Sequence, residues 1–155
     1  MLHSCLVTLL AFTLAGCGGR ESAVAAKPML VNATATTTVG GATLQASTLD
    51  VADLNDMVAK RYAIERGSSG LMLLVTVRDA SGNGIEPGDL RLDAVAGALL
   101  DAPKPLALRP IKTNGMTDYI GVFNARPPAS VQLRISAVRN GARAEISTTA
   151  ELYER

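Results

Sequence analysis

The residues best suited to nucleophilic, acid–base or zinc chemistry lie close together at the start of the chain. The sequence has one histidine, His3, and two cysteines, Cys5 and Cys17. The common hydrolase designs need an imidazole as base, and protein zinc sites are built on histidine and cysteine. Residues 18–155 have neither residue type. We therefore expect a protein that is not an enzyme and that holds no metal or cofactor.

The second cysteine lies in a motif for lipid attachment. Residues 5–14 are mostly apolar, which is typical of the core of a signal peptide and too short to cross a bilayer. The next residues, Leu14-Ala15-Gly16-Cys17, resemble a bacterial lipobox, in which the thiol is alkylated by a diacylglycerol before cleavage. We predict a lipoprotein signal peptide over residues 1–16, cleavage between Gly16 and Cys17, and an acylated Cys17. An ordinary signal peptide that happens to contain cysteine is the alternative.

The residues around Cys17 also predict a location. Several acyl chains on one cysteine hold a protein far more firmly than a single chain does. Gly18 and Gly19 follow Cys17 without an aspartate beside it, a pattern that resembles enterobacterial signals for sorting to the outer membrane. We expect a lipid-anchored protein on the periplasmic face of the outer membrane, with a soluble periplasmic protein as the alternative.

The composition limits the kinds of partner. The 155 residues carry a formal net charge of +1, only 3% are aromatic, and tryptophan is absent. A nucleic-acid-binding surface needs clustered positive charge, and base stacking needs aromatic side chains. We therefore expect no nucleic-acid partner. The length suits one domain and a short additional segment.

The segment after the lipobox is small, polar and poorly periodic. Residues 17–41 are rich in alanine and threonine and contain no aromatic residue. Such a stretch buries too little apolar area to offset the entropy lost on ordering. We predict an acylated N-terminus and flexible tether over residues 17–41 and one folded domain over residues 42–155. An N-terminal strand formed by the threonine tract is the alternative.

One helix is predicted in the folded domain, over about residues 50–62. Leu54, Met57 and Val58 fall at helical spacing, and Asp50 stands where an N-cap is expected. Asp53 follows three residues later, where a negative charge stabilises the positive end of a helix. Gly67 and Ser68 are expected to stop it.

The remaining segments have the patterns of strands and turns. Residues 71–77 are apolar on both faces, which is typical of a central strand, and Leu90, Leu92 and Ala94 alternate with polar residues. Residues 103–110 contain three prolines, which cannot donate to a ladder, so we place that stretch at a sheet edge. Residues 118–123 form a further predicted strand.

The last two strands allow their register to be predicted. Asn140-Gly141 is a strong signal for a two-residue hairpin loop, because both residues tolerate positive φ. Such a loop pairs Arg139 with Ala142 and Ile135 with Ile146. The apolar residues of both strands then share one face, so the register is well determined.

These elements together predict the fold class. About seven short strands, separated by turns and accompanied by one short helix, indicate a mainly β domain. We predict an antiparallel β-sandwich of immunoglobulin-like architecture, without the Cys…Trp…Cys pattern of true immunoglobulin domains. A small open β-barrel is the alternative.

Residues spread over the folded part occur in an order that is typical of a known family. These residues are Val58, Ala59, Tyr62, Ile64 and Arg66, the strand at 71–77, Gly97, Tyr119-Ile120-Gly121-Val122-Phe123 and Glu151-Leu152-Tyr153. Their order resembles a bacterial envelope family, domain of unknown function 4426, over about residues 42–155. The resemblance implies an exported, immunoglobulin-like β-sandwich and no particular activity. A lipobox is a departure from the simple export signal of the family.

Several groups of residues outside the lipobox are candidate sites. Asp79, Ser81, Asn83 and Gly84 match the first half of a calcium loop, but Leu90 stands where a bidentate glutamate is required, so we expect a tight turn. We expect structural roles for the other groups as well: charge at a helix end, cross-strand pairing, core packing and capping. These groups are Lys60, Arg61 and Arg66; Arg134, Arg139 and Arg143 with Glu145; Tyr62, Tyr119, Phe123 and Tyr153; Asp89 with Asp93; and Asp50, Asp53 and Asp56.

The expected function is binding. A tethered sandwich with exposed sheet edges suits capture of a partner by strand addition. We therefore expect an adaptor or accessory protein whose partner is another envelope protein. A binder of small ligands such as lipids or cell-wall fragments is the alternative, and it would require an apolar cavity.

Overall fold

The computed structural model describes residues 32–65 and 67–154. Residues 1–31, which include the predicted signal peptide and Cys17, lie outside the described residues, as does Arg66. Within the described ranges, a 3-10 helix (Val51–Asp53) and helix α1 (Asp56–Arg61) separate the second and third strands. The strands are β1 (Asn32–Val39), β2 (Ala42–Asp50), β3 (Gly70–Arg78), β4 (Arg91–Ala98), β5 (Lys104–Leu106), β6 (Arg109–Thr113), β7 (Met116–Asn124), β8 (Ala129–Arg139) and β9 (Ala142–Leu152).

The strands form two antiparallel sheets. One sheet has five strands in the order β1-β2-β3-β7-β6, and the other has four in the order β5-β4-β8-β9. The predicted antiparallel sandwich is confirmed, with nine strands in place of about seven, and over the described residues the two sheets do not close into the alternative barrel. The prolines at 103–110 lie in β5, in β6 and beside them, at the edges of both sheets, as predicted.

The core lies between the sheets. Strand β3 is central, as predicted, and alternate residues Leu71, Leu73, Val75 and Val77 are buried in one cluster with residues of the opposite sheet. Ile135 of β8 belongs to the same cluster. The period of two places every second side chain of a strand on the inner face of the sandwich.

The predicted hairpin register is confirmed over the whole length of β8 and β9. Arg139 pairs with Ala142, and Ile135 pairs with Ile146. Asn140 and Gly141 have φ values of 48° and 74°. The two loop residues therefore adopt the left-handed conformation that their types allow at little cost.

The predicted start of the domain at residue 42 is wrong. Residues 32–39, which we assigned to a tether, form β1 and pair with β2. Val39 is buried, and Ala35 packs against the core. The tether prediction considered only apolar area, whereas a strand added to a sheet also gains backbone hydrogen bonds and needs one partly buried face. The alternative, a strand in the threonine tract, is correct.

The predicted helix is divided into two pieces. The Asp50 carboxylate accepts a hydrogen bond from the backbone N–H of Ala52, as expected of a cap, but it caps only the 3-10 helix. Leu54 is extended, and the Asn55 side chain accepts from the N–H of Val58 and begins α1. Asn55 thus supplies a second N-cap that the helical spacing of the apolar residues did not reveal. The helix also ends at Arg61, before the predicted stop at Gly67.

These two helical pieces cover the outer face of the five-stranded sheet. Val51, Leu54 and Ala59 form a second buried cluster with Met72 of β3 and Ile120 of β7. Within the described ranges, no helix is long and apolar enough to cross a membrane.

The pairing defines two ends of the sandwich. At one end lie the start of β1, the residues before β3, the β4–β5 turn, the β7–β8 connection and the end of β9. We call it the termini end. The β1–β2, β3–β4, β6–β7 and β8–β9 connections lie at the opposite end, which we call the turn end.

Candidate functional site

Most of the large hydrophobic side chains that are exposed in the described ranges lie at the termini end. There are five such side chains, and one of them, Met57, lies on α1. The other four belong to the termini end: Leu99 (58% exposed), Leu100 (99%), Val122 (36%) and Tyr153 (60%). Exposed apolar side chains that gather in one region, rather than lying singly, mark sites of interaction.

A short turn holds the two leucines. We call residues 98–101, which begin with the last residue of β4 and lead towards β5, the dileucine turn. The backbone N–H of Leu99 donates to the carbonyl oxygen of Ser130 (2.8 Å), and the N–H of Asp101 donates to that of Ala98 (2.9 Å). Leu100 has a φ of 78°. For a leucine, both the left-handed backbone conformation and the complete exposure of the side chain to water are unfavourable.

A groove opens beside this turn. It has a volume of about 760 Å³ and lies between β5, the last residues of β7 and the first residues of β8. We call it the corner groove. Its lining includes Leu99, Asp101, Lys104, Phe123 and Arg126.

The corner groove exists because two strands are short. Strand β6 begins with Arg109 opposite Ile120, so residues 122–124 of β7 extend beyond it. Strand β5 has only three residues. The β5–β6 connection, residues 107–108, packs closely against Gly121. A Cβ atom on Gly121 would lie 2.9 Å from Leu108 Cδ2 and 3.0 Å from the Ala107 oxygen. The segment at 122–124 is paired with β3 on one side and faces the groove on the other.

The family of the protein follows from a comparison of its sequence with family models. The model described as domain of unknown function (DUF4426) matches residues 36–154. The chain belongs to this family. The resemblance noted in the sequence is thus confirmed over the folded part.

Two solved structures share the fold of this DUF4426 protein. A DUF4426 family protein from Pseudomonas aeruginosa PAO1 is 15% identical with a TM-score of 0.61, and the match covers 79% of this chain and 96% of that one. FetP from uropathogenic E. coli strain F11, expressed recombinantly in the periplasm, is 11% identical with a TM-score of 0.50. That match covers 80% of this chain and 97% of FetP. No curated protein matches the chain.

The calcium-like residues form a turn that satisfies its own carboxylate. Asp79 Oδ1 accepts from the backbone N–H of Ser81 (2.8 Å) and of Asn83 (2.9 Å), and Oδ2 accepts from the Asn83 amide (3.2 Å). These bonds, chiefly those from Asn83, hold the pKa of Asp79 below its usual value. In the described ranges, no three His, Cys, Asp or Glu residues are grouped so as to hold a metal ion.

The remaining acidic candidates lie in a loop, on an exposed strand face and in the first turns of the two helical pieces. Asp89 accepts from the backbone N–H of Asn140, at 3.1 and 3.0 Å from its two oxygens, and so ties the β3–β4 loop to the last hairpin. Asp93 is exposed on β4. Asp53 lies in the 3-10 helix, and Asp56 begins α1.

The basic candidates divide into exposed and structural residues. Lys60 and Arg61 are exposed in the last turn of α1. Arg134 pairs with Glu145 across β8 and β9 at 3.6 Å, the pairing that we expected. Arg139 donates from Nε to the Pro87 oxygen (3.1 Å) and from Nη1 to the Gly40 oxygen, so it joins three loops. Arg143 is exposed.

The aromatic residues are dispersed, and one prediction about them is wrong. Tyr62, Tyr119 and Phe123 are half-buried and pack against the two clusters, as expected. Burial raises the pKa of Tyr119 above its usual value. Tyr153, expected in the core, is exposed because β9 ends at Leu152, whose side chain is the last to reach the core.

Two features of the molecule were missed in the sequence. The dileucine turn has apolar residues immediately after a strand and before a proline-rich stretch, and their failure to continue the alternation was the available signal. Asp118, treated only as a strand residue, is buried and pairs with Arg78 at 2.6 Å. It also accepts from the N–H of Val77 at 3.3 Å.

Proposed function

We propose that this DUF4426 protein is a lipid-anchored, non-enzymatic protein of the bacterial envelope that binds another envelope protein in the corner groove. The observation that carries the proposal is the strand segment at 122–124, which is paired on one side and borders the groove on the other. A partner segment in extended conformation could add to this edge and place its side chains in the groove.

The other sheet edges are less suited to strand addition. Pro105 in β5 and Pro110 in β6 have no N–H to donate, and the neighbouring Lys104 and Arg109 are exposed charges that discourage pairing. On the opposite side of the sandwich, β1 and β9 lie next to each other. The groove segment is therefore the favoured place for a partner.

Envelope location is supported by the sequence and by one relative. The lipobox at residues 14–17 supports export and acylation of Cys17. FetP, which shares the fold, was expressed in the periplasm. We propose a periplasmic domain held at the outer membrane, with a soluble periplasmic protein as the alternative.

A binding role is also supported by the structural roles of the acidic side chains. Residues 18–155 contain no histidine or cysteine. Among the acidic candidates, Asp50 and Asp89 accept backbone hydrogen bonds in a cap and a loop, and Asp79 accepts them in a turn. Side chains held in this way are positioned for structure rather than for proton transfer to a substrate.

Crosslinking in living cells tests the proposal. A C-terminally tagged wild-type chain is compared with Cys17→Ser, with Arg126→Glu in the groove, and with Arg143→Glu, an exposed arginine on β9 near the turn end. We expect one abundant envelope protein to crosslink to the wild type and to Arg143→Glu. Its yield should fall several-fold with Arg126→Glu and with Cys17→Ser.

The outcomes separate the parts of the proposal. Equal yields for Arg126→Glu and Arg143→Glu would place the partner elsewhere on the surface. Absence of a protein partner in every form would overturn the adaptor role. The small-ligand alternative would then be tested by native mass spectrometry, since the groove volume lies within the range of about 300–1,000 Å³ typical of ligand sites.

A further inference from the structure

We propose that the dileucine turn docks into the headgroup region of the membrane that holds the Cys17 anchor, so that the termini end of the sandwich faces the bilayer. The inference rests on the proposed lipid anchor. It adds an orientation and a second point of attachment, made by the folded domain itself.

The first observation is the position of the apolar side chains. Leu100 is almost completely exposed and does not line the corner groove, and Leu99 is more than half exposed. Tyr153 is also exposed. It lies at the same end, because its neighbour Leu152 pairs with Ala129, and the next residue, Ser130, accepts the hydrogen bond from the turn. Leucine inserts readily among acyl chains, and tyrosine is enriched at the membrane interface.

The second observation is where the chain enters the domain. Strand β1 begins at the termini end, since Asn32 pairs with Thr48 and the next residues of β2 lead to Asp50, opposite Leu71. Residues 18–31 connect Cys17 to this point. A stretch of that length reaches at most about 50 Å. An anchor at Cys17 therefore attaches to the domain at the end that carries the exposed leucines.

The third observation is the charge beside the turn. Lys104 and Arg126 are exposed and line the corner groove together with Leu99. Two acidic residues lie at the same place: Asp101 in the turn, and Glu151, which accepts a hydrogen bond from the Ser130 hydroxyl (2.7 Å). Cations close to inserted apolar side chains strengthen binding to anionic lipids. Docking in this orientation also places the corner groove beside the membrane surface, within reach of a membrane-bound partner.

Tryptophan fluorescence provides a direct test, because the sequence contains no tryptophan. The full chain is expressed with Leu100→Trp, with Tyr153→Trp as a second reporter at the same end, or with Ser81→Trp as the matched control. Ser81 is exposed in a loop at the turn end. Each purified chain is reconstituted into vesicles of phosphatidylethanolamine and phosphatidylglycerol, with or without brominated acyl chains.

The expected result is that bromine quenches Leu100→Trp several-fold more than Ser81→Trp, together with a blue shift of its emission. Tyr153→Trp should be quenched to an intermediate degree. Equal weak quenching of Leu100→Trp and Ser81→Trp would overturn the inference. So would strong quenching of both, because the domain would then have no fixed orientation.

Mass analysis of the N-terminal peptide in the same samples separates this inference from the proposed function. An acylated chain whose Leu100→Trp reporter stays in water retains the anchor and overturns the docking turn. An unacylated chain whose reporter enters the bilayer supports docking by the dileucine turn and overturns the proposed lipid anchor at Cys17. An unacylated chain whose reporter stays in water overturns both.

Discussion

The two ends of the sandwich are built in opposite ways. The connections at the turn end contain Gly40-Gly41, Asn114-Gly115 and Asn140-Gly141, all with positive φ. Long-range side-chain hydrogen bonds gather there: Arg78 to Asp118, Arg139 to the Gly40 and Pro87 oxygens, and Asn140 to Asp89. At the termini end, the exposed dileucine turn is held by its backbone bond to Ser130.

This difference separates stability from recognition. The polar groups named at the turn end bind one another, so their hydrogen bonds contribute to folding. The leucines of the termini end contribute little to folding, because their side chains remain in water. Apolar area left exposed in the isolated domain is the area that a membrane or partner can bury.

The largest expected effect is at the partly buried pair of Arg78 and Asp118 at the turn end. In Asp118→Ala, the Arg78 guanidinium and the N–H of Val77 lose their carboxylate, which we expect to destabilise the domain by about 2–3 kcal/mol. Urea unfolding followed by circular dichroism measures it. Asp93→Ala, an exposed carboxylate on β4, is the control and should change stability by less than about 0.5 kcal/mol. Equal losses in the two variants would contradict the assigned role of the pair.

A smaller loss is expected from the contact that ties the β3–β4 loop to the last hairpin. Asp89→Ala removes both acceptors for the Asn140 N–H, and since the site is exposed, water replaces part of the interaction. We expect a loss of about 0.5–1 kcal/mol. Glu145→Ala, which breaks the exposed pair with Arg134, should cost less than about 0.5 kcal/mol. Hydrogen exchange at Asn140 should accelerate only in Asp89→Ala.

At the termini end, a substitution should stabilise the domain and weaken its docking. Leu100 has a left-handed backbone and an exposed side chain, whereas asparagine tolerates that conformation. We expect Leu100→Asn to raise the free energy of unfolding by about 0.5–1 kcal/mol. Its docking should weaken, measured as less bromine quenching of the Tyr153→Trp reporter in the Leu100→Asn chain than in the chain with Leu100. A loss of stability would mean that Leu100 packs against the domain.

Strand alternation explains how much of the fold was predictable. In the last hairpin, the Asn140-Gly141 signal and two apolar faces leave one register, so local rules were sufficient. β1 was missed because its threonines gain stability from pairing with β2, which lies outside any local window. The helix was misjudged at Leu54, whose burial against the outer face of the five-stranded sheet interrupts a local helical pattern.

The candidate site was less predictable than the fold. Leu99 and Leu100 look like core residues in a sequence, and the break in alternation where β4 ends at Ala98 is the signal that they fall beyond the sheet. The groove arises because β6 starts at Arg109, so the last residues of β7 are paired with β3 on one side and have no paired strand on the other. That is a difference in strand length between elements, and residue types alone do not encode it.

The smallest expected effect is a pH dependence at the turn end. Hydrogen bonds, first that from the backbone of Asn83, lower the pKa of Asp79 below its ordinary value of 3.8. A carboxylate with a lower pKa in the folded chain stabilises it above the unfolded pKa, and this stabilisation is lost as the pH falls through the folded pKa.

Asp79→Ala should therefore be less stable than the wild type at neutral pH, and the difference should shrink as the pH is lowered below about 4. Urea midpoints measured from pH 7 down to pH 2 would show it. Asp93→Ala serves as the control, because it lies outside the turn. A constant difference at every pH would mean that the turn depends on the shape of the Asp79 side chain and not on its charge.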